Sequence, residues 1–145
     1  MKMSNLSRFM KQNKKAKKNG FYAPTKSMTD ENGKPLEWEF KPLTSKENDR
    51  IKDDCTFDVQ VKGKMNLYRQ KLNTSKYLVN MIAACTVTPN LFDKGLQDSY
   101  GVKTPEDLVY EMVDDPGEYG ELAVWVQKYQ GFNTTMDDKV EEAKN

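Results

Sequence analysis

Three Asp-Asp pairs, Asp53-Asp54, Asp114-Asp115 and Asp137-Asp138, and two cysteines, Cys55 and Cys85, are the side chains whose type or spacing could do chemistry in this chain of 145 residues. Paired carboxylates can move protons or hold a divalent ion, but only when they converge. Neighbours on a helix point about 100° apart, and Asp115 and Asp138 are placed to serve as a cap and a first-turn acid. The cysteines lie thirty positions apart without a CxxC, which reads as two reduced core thiols in a cytosolic protein. There is no histidine, so imidazole-based general bases, triads and metal ligands are excluded. Two distant thiols do not make a zinc site without carboxylate help, and the turn DENG lacks the alternating acids of a calcium loop. The eight glycines are scattered over turns and caps and form no phosphate loop. The expectation is a chain that is not an enzyme and takes no cofactor or metal.

The elements that would position any site begin with SKYLVNMIAACTVTPNLFDKGLQDSYG, residues 75–101. Leu78, Met81, Ile82 and Cys85 fall on one helical face, Ser75 is placed to cap it, and Thr88 before Pro89 should end it. Asp93 can cap a short second helix carrying Leu96 and Tyr100, with Gly101 at its left-handed end. Upstream, residues 4–13 can form a short helix with Leu6, Phe9 and Met10 on one side, followed by a solvated linker, NKKAKKNG. Residues 21–41 read as a hairpin: an edge strand containing Pro24, an Asn32-Gly33 turn, and LEWEF with Leu36, Trp38 and Phe40 facing one way. Thr44 to Glu47 is a capping box opening a surface helix, and FDVQVKGKMNLY reads as a ribbon or an ordered loop. Thr104-Pro105 and Asp115-Pro116 each open a helix, the second closing at Gly131-Phe132 in a Schellman turn. A last short helix is expected from Thr135.

These elements predict a mainly α (α+β) fold, a compact helical domain with a small N-terminal β-hairpin. Residues 1–20 form a basic arm, residues 21–136 one globular domain with its helical core over 75–131, and residues 137–145 an acidic C-terminal helix or tail. No apolar run approaches a membrane span of roughly 20 residues, and no apolar segment follows the basic N-terminus as in a secretory signal. The net charge of +1 hides a gradient. Residues 1–20 carry seven positive charges and no acid, whereas residues 103–145 carry eleven acids and four lysines. The two ends could attract each other within or between chains, in a salt-sensitive way. The arm could bind nucleic acid electrostatically, but it offers only Phe9 for base stacking, and the acidic third would repel a phosphate backbone.

Tyr110, Met112, Tyr119, Trp125 and Tyr129 are the candidate partner-binding residues, because steps of about 100° spread them around two helices and they cannot all face inward. Aromatic and thioether side chains suit an adaptable docking surface.

GKPLEWEFKPLTSKE, AACTVTPNLFDKGLQDSYGV and PGEYGELAVWVQKYQGF, taken in that order, resemble the XkdN-like family of phage tail assembly chaperones. The resemblance covers nearly the whole chain, and NLFDKGLQDSYGV is its most specific string. Such proteins come from contractile-tailed phages, prophages and phage-tail-like bacteriocins of Gram-positive bacteria. The resemblance implies a non-enzymatic protein that holds the tape measure protein soluble in the host cytoplasm and is absent from the mature particle. The tail tube protein is a second candidate partner. Two other readings stay open: a small basic-armed nucleic-acid-binding phage regulator, and a structural tail component.

Overall fold

The computed structural model describes residues 5–133. Two 3-10 turns, Ser7–Phe9 and Lys11–Asn13, stand where one short helix is expected, and Phe9 is 85% exposed. An extended arm leads from them into β1 (Gly20–Tyr22), and β2 (Trp38–Phe40) runs antiparallel to it with Gly20 opposite Phe40 and Tyr22 opposite Trp38. Thr44 then caps α1 (Ser45–Asp54) in the expected reciprocal box with Glu47. β3 (Thr56–Gln60) and β4 (Tyr68–Leu72) form a two-stranded ribbon. α2 (Thr74–Cys85) follows, then β5 (Thr86–Thr88), α3 (Lys94–Ser99), α4 (Pro105–Met112) and α5 (Pro116–Tyr129).

The expectation of a compact helical domain with an N-terminal hairpin is corrected by the sheets. The protein is α+β, with one sheet of order β1-β2-β5 and a second made of β3 and β4. The pairing over residues 21–41 is therefore one edge of a three-stranded sheet, closed by residues that follow the central helix. The reason lies in Thr86-Val87-Thr88. Three β-branched side chains crowd a helix and favour an extended chain, and Thr88 is pushed the same way by Pro89. The helix accordingly ends at Cys85, and Phe40 pairs with Thr86.

α2 sits at the centre, packing on α1, α4 and α5. Tyr77, Val79, Met81, Ile82, Ala83 and Cys85 are all buried, which is more than one face of it. A helix apolar on most sides needs cover on most sides, and α4 and α5 supply it through Leu108, Val109, Leu122 and Val126. Ile82 is 1% exposed. Its truncation to alanine would cost about 2–5 kcal/mol. The cap of α2 is Asn73, accepting from the Lys76 amide at 3.1 Å, rather than Ser75, because the helix begins two residues earlier than expected. Asp93, Thr104 and Asp115 cap α3, α4 and α5 as their spacing predicts. The helix expected from Thr135 and the acidic segment 137–145 lie outside the described residues.

Candidate functional site

α5 places Trp125 and Tyr129 one turn apart, both directed at β1 and the arm. Trp125 stacks on Tyr22 at 4.9 Å and on Tyr129 at 5.1 Å, with ring planes within 12° of parallel, and Phe40 meets it at a tilt. The Lys17 ammonium caps this pile, 4.3 Å from the Tyr129 ring centre. The Tyr129 hydroxyl donates to the Lys18 carbonyl at 2.7 Å, with the Phe40 carbonyl 3.3 Å away. Burial raises the Tyr129 phenol above its usual value. The stack needs a bare backbone beside it: a Cβ on Gly20 would lie 2.8 Å from Tyr129 Cε1. NKKAKKNG is thus tied down where its composition predicts a solvated linker.

A hollow of about 590 Å³ opens beside the stack, lined by Tyr22, Pro116, Gly120, Val124 and Trp125, with Glu121 and Lys128 at its rim. Glu118, on the same helix, holds the chain that follows β1. Its carboxylate accepts from the Thr25 hydroxyl and from the Lys26 amide, both at 2.8 Å, and so pins the segment after β1 onto α5. Burial raises the Tyr22 phenol, and Glu121 and Glu118 push it the same way.

A second aromatic pair lies where α4 and α5 adjoin: Tyr110 and Tyr119, 5.1 Å apart. Tyr110 is 42% exposed and Tyr119 half-buried. Burial drives the Tyr119 phenol well up, with Tyr110 adding to the effect. Of the five sequence candidates, Tyr110 is exposed, and Tyr119, Trp125 and Tyr129 are half-buried in two separate clusters. Met112 is core at 5% exposure and supports the surface from beneath. Cys55 and Cys85 are buried free thiols, and burial pushes Cys85 up to about 12. Asp53 and Asp54 are exposed at the end of α1, and Asp115 is spent on its cap; Asp137-Asp138 lies outside the described residues. Among the described residues no three potential metal ligands come together. None of their helices is long and apolar enough to cross a membrane.

An apolar, aromatic hollow of this kind is suited to hold another chain. A family model for the phage XkdN-like tail assembly chaperone protein matches residues 6–144. The chain belongs to this family. Over 124 residues this XkdN-like chain is 26% identical to the phage-like element PBSX protein XkdN of Bacillus subtilis strain 168, covering 83% of this chain and 80% of that one. It is 27% identical to YqbN of the same strain over the same shares. The crystal structure of the protein YqbN superimposes with a TM-score of 0.73 at 19% identity, over 91% of this chain and 100% of that one, which shows a common fold. The family strings fall mainly on the core and caps: NLFDKGLQDSYGV spans Leu91 and α3, and PGEY opens α5. The surface residues that the sequence did not single out are Tyr22, Pro116 and Val124, together with Lys17 and Glu118. Tyr22 and Lys17 reach α5 only through pairings about a hundred residues apart, for which local spacing carries no signal.

Proposed function

We propose that this chain is a non-enzymatic tail assembly chaperone that binds and solubilises the tape measure protein in the host cytoplasm and leaves before the particle is complete. Membership of the XkdN-like family supports an assembly role and a tail protein as partner. The observation that carries the finer reading is the aromatic surface of α4 and α5. Tyr110 and Tyr119 offer one apolar foothold, and the hollow between Tyr22, Val124 and Trp125 offers another. A long helical client with an unpaired apolar stripe needs such cover until assembly provides it. Tyr129 and Met112 hold these surfaces in place from behind, so their part in binding is to position the residues that touch the client.

The test is co-expression with the cognate tape measure protein, scoring soluble client and co-purification. Val124→Glu puts a charge on the floor of the hollow and Tyr110→Ala removes the exposed ring. Each should lower recovered client several-fold while leaving the melting temperature within about 2 °C of wild type. Equal client solubility with and without this chain, and no co-elution at low salt, would overturn the proposal. Capture of the tail tube protein in place of the tape measure would move the role to that partner.

A further inference from the structure

The two 3-10 turns ahead of β1 are basic and apolar at once. Neither contains a buried residue. Leu6 is 71% exposed and Phe9 85%, and three positions apart they share one side of a 3-10 turn, with Arg8 and Lys11 beside them. Residues 5–20 carry six positive charges and no acid. Large apolar side chains standing open on a cationic segment mark a contact surface.

The opposite character lies at the far end of α1. There a hollow of about 180 Å³ opens between α1, α2 and α4. Ile51, Ala83 and Ala84 form its apolar base, and Asp54 from α1 and Glu106 from α4 supply carboxylates. Phe92, 70% exposed, adds an open ring. Among the described residues no lysine or arginine lines this hollow.

The two features do not meet within one copy. Lys11 and Lys14 lie beside the start of α1 with Ser45 and Lys46, whereas Asp54 is the last residue of that helix. Nine helical steps from Ser45 to Asp54 separate the ends by about 14 Å, more than the Debye length of about 10 Å at 0.1 M salt. The arm is also held at its end of the molecule, by Lys17 over Tyr129 and by the Tyr129 bond to the Lys18 carbonyl.

We propose that residues 6–11 of one copy dock in the hollow between α1, α2 and α4 of a second copy, with Phe9 against Phe92 and Ala84 and Arg8 between Asp54 and Glu106. Charge complementarity selects this occupant: each copy carries one cationic apolar knob and one anionic apolar hollow, both open. Docking gives Arg8 two carboxylates and an aromatic face, and takes Phe9 out of water. Because the two surfaces differ, the contact is head-to-tail, and repeated it makes rows or rings. One knob in one hollow buries far less than a standard interface, so the association is weak and concentration-dependent. The inference does not rest on the identity of the client.

The experiment is sedimentation velocity of the full chain from micromolar to submillimolar concentration, at low salt and at about 1 M salt. Wild type should sediment faster as concentration rises, and its association should weaken at least threefold in the high salt. Arg8→Glu, Asp54→Arg and Phe9→Ala should each weaken it at least fivefold with the melting temperature unchanged, since all three side chains are exposed. An equal mixture of Arg8→Glu and Asp54→Arg should restore association, because the native arm of one variant then finds the native hollow of the other. A wild-type chain that stays single at submillimolar concentration in low salt would overturn the proposal. Association that survives both reversals would overturn it by placing the contact elsewhere, and so would a mixture that fails to associate. If the chain stays single while Arg8→Glu lowers binding of a single-stranded oligonucleotide, the turns belong to nucleic acid and the proposal falls.

Discussion

Gly20→Ala should destabilise the protein although the substitution suits a strand. Gly20 pairs with Phe40 in β1, and its φ lies outside the left-handed range, so the backbone tolerates a Cβ. Exchanging glycine for alanine at such a site ordinarily gains about 0.5–1 kcal/mol from chain entropy. Here the new carbon would sit 2.8 Å from Tyr129 Cε1 and 3.0 Å from Trp125 Cη2. Neither ring can simply swing aside, because Tyr129 is held by the Lys18 carbonyl and Trp125 is stacked on Tyr22. Overpacking of this kind costs about 1–3 kcal/mol, and the doubly held obstruction places it in the upper half of that range. The net loss is then about 1–2 kcal/mol, or a fall in Tm of about 3–6 °C for a domain of this size. Urea unfolding with an unchanged slope gives the free energy, and the near-ultraviolet circular dichroism of Trp125 reports the disturbed stack. Gly120→Ala is the control. It lies inside α5 with nothing within 4 Å of its Cβ, and should gain about 0.5–1 kcal/mol. A Gly20→Ala protein as stable as wild type, with an unaltered Trp125 signal, would refute the close approach of β1 to the rings.

Glu118→Gln leaves the shape but weakens the charge-assisted bonds to Thr25 and Lys26, and should cost about 1–2 kcal/mol and speed exchange of the Lys26 amide. Glu47 is held below its ordinary value, first by the Thr44 backbone amide. Its contribution is therefore complete above the ordinary glutamate range near pH 4.3 and is lost as pH falls through the lowered value. Glu47→Gln, which keeps a box-type acceptor, should flatten that part of the stability–pH curve measured by urea midpoints. Cys85, buried and pushed up to about 12, and Cys55, buried beside Asn80 of α2, should resist iodoacetamide at pH 8 in the native protein and both react in urea, as read by intact mass.

The local grammar of this chain was legible and its long-range pairings were not. Thr44, Asp93, Thr104 and Asp115 cap helices as their spacing predicts, because a cap involves residues two or three positions apart. Gly131 and Phe132 close α5 for the same reason. The fate of Thr86-Val87-Thr88 depends on β2, some 46 positions upstream, and a short β-branched tail on a helix does not announce that partner. In the binding surface, helical spacing puts Met112 with Leu108, Val109 and Val113 on the apolar face of α4 and Tyr110 on another, and the candidate pair took one residue from each. The fold buries Met112 and exposes Tyr110. By sequence Tyr22 belongs to an edge strand, and only the stack with Trp125 makes it part of a surface.

The arm's attachments also set a timetable. Asn19 bonds to Glu39, twenty positions on, but the Tyr129 hydroxyl that holds the Lys18 carbonyl comes 111 positions later. Translation at about 5–20 residues per second separates the two by roughly 5–18 s. During that interval the ribosome presents a cationic strand whose final anchor has not been made, together with Leu6 and Phe9, which stay exposed even afterwards. Closing so wide a loop is also the slowest kind of step for a small domain. The last turn of α5 thus decides when the arm around Lys17 and Lys18 gains its final anchor.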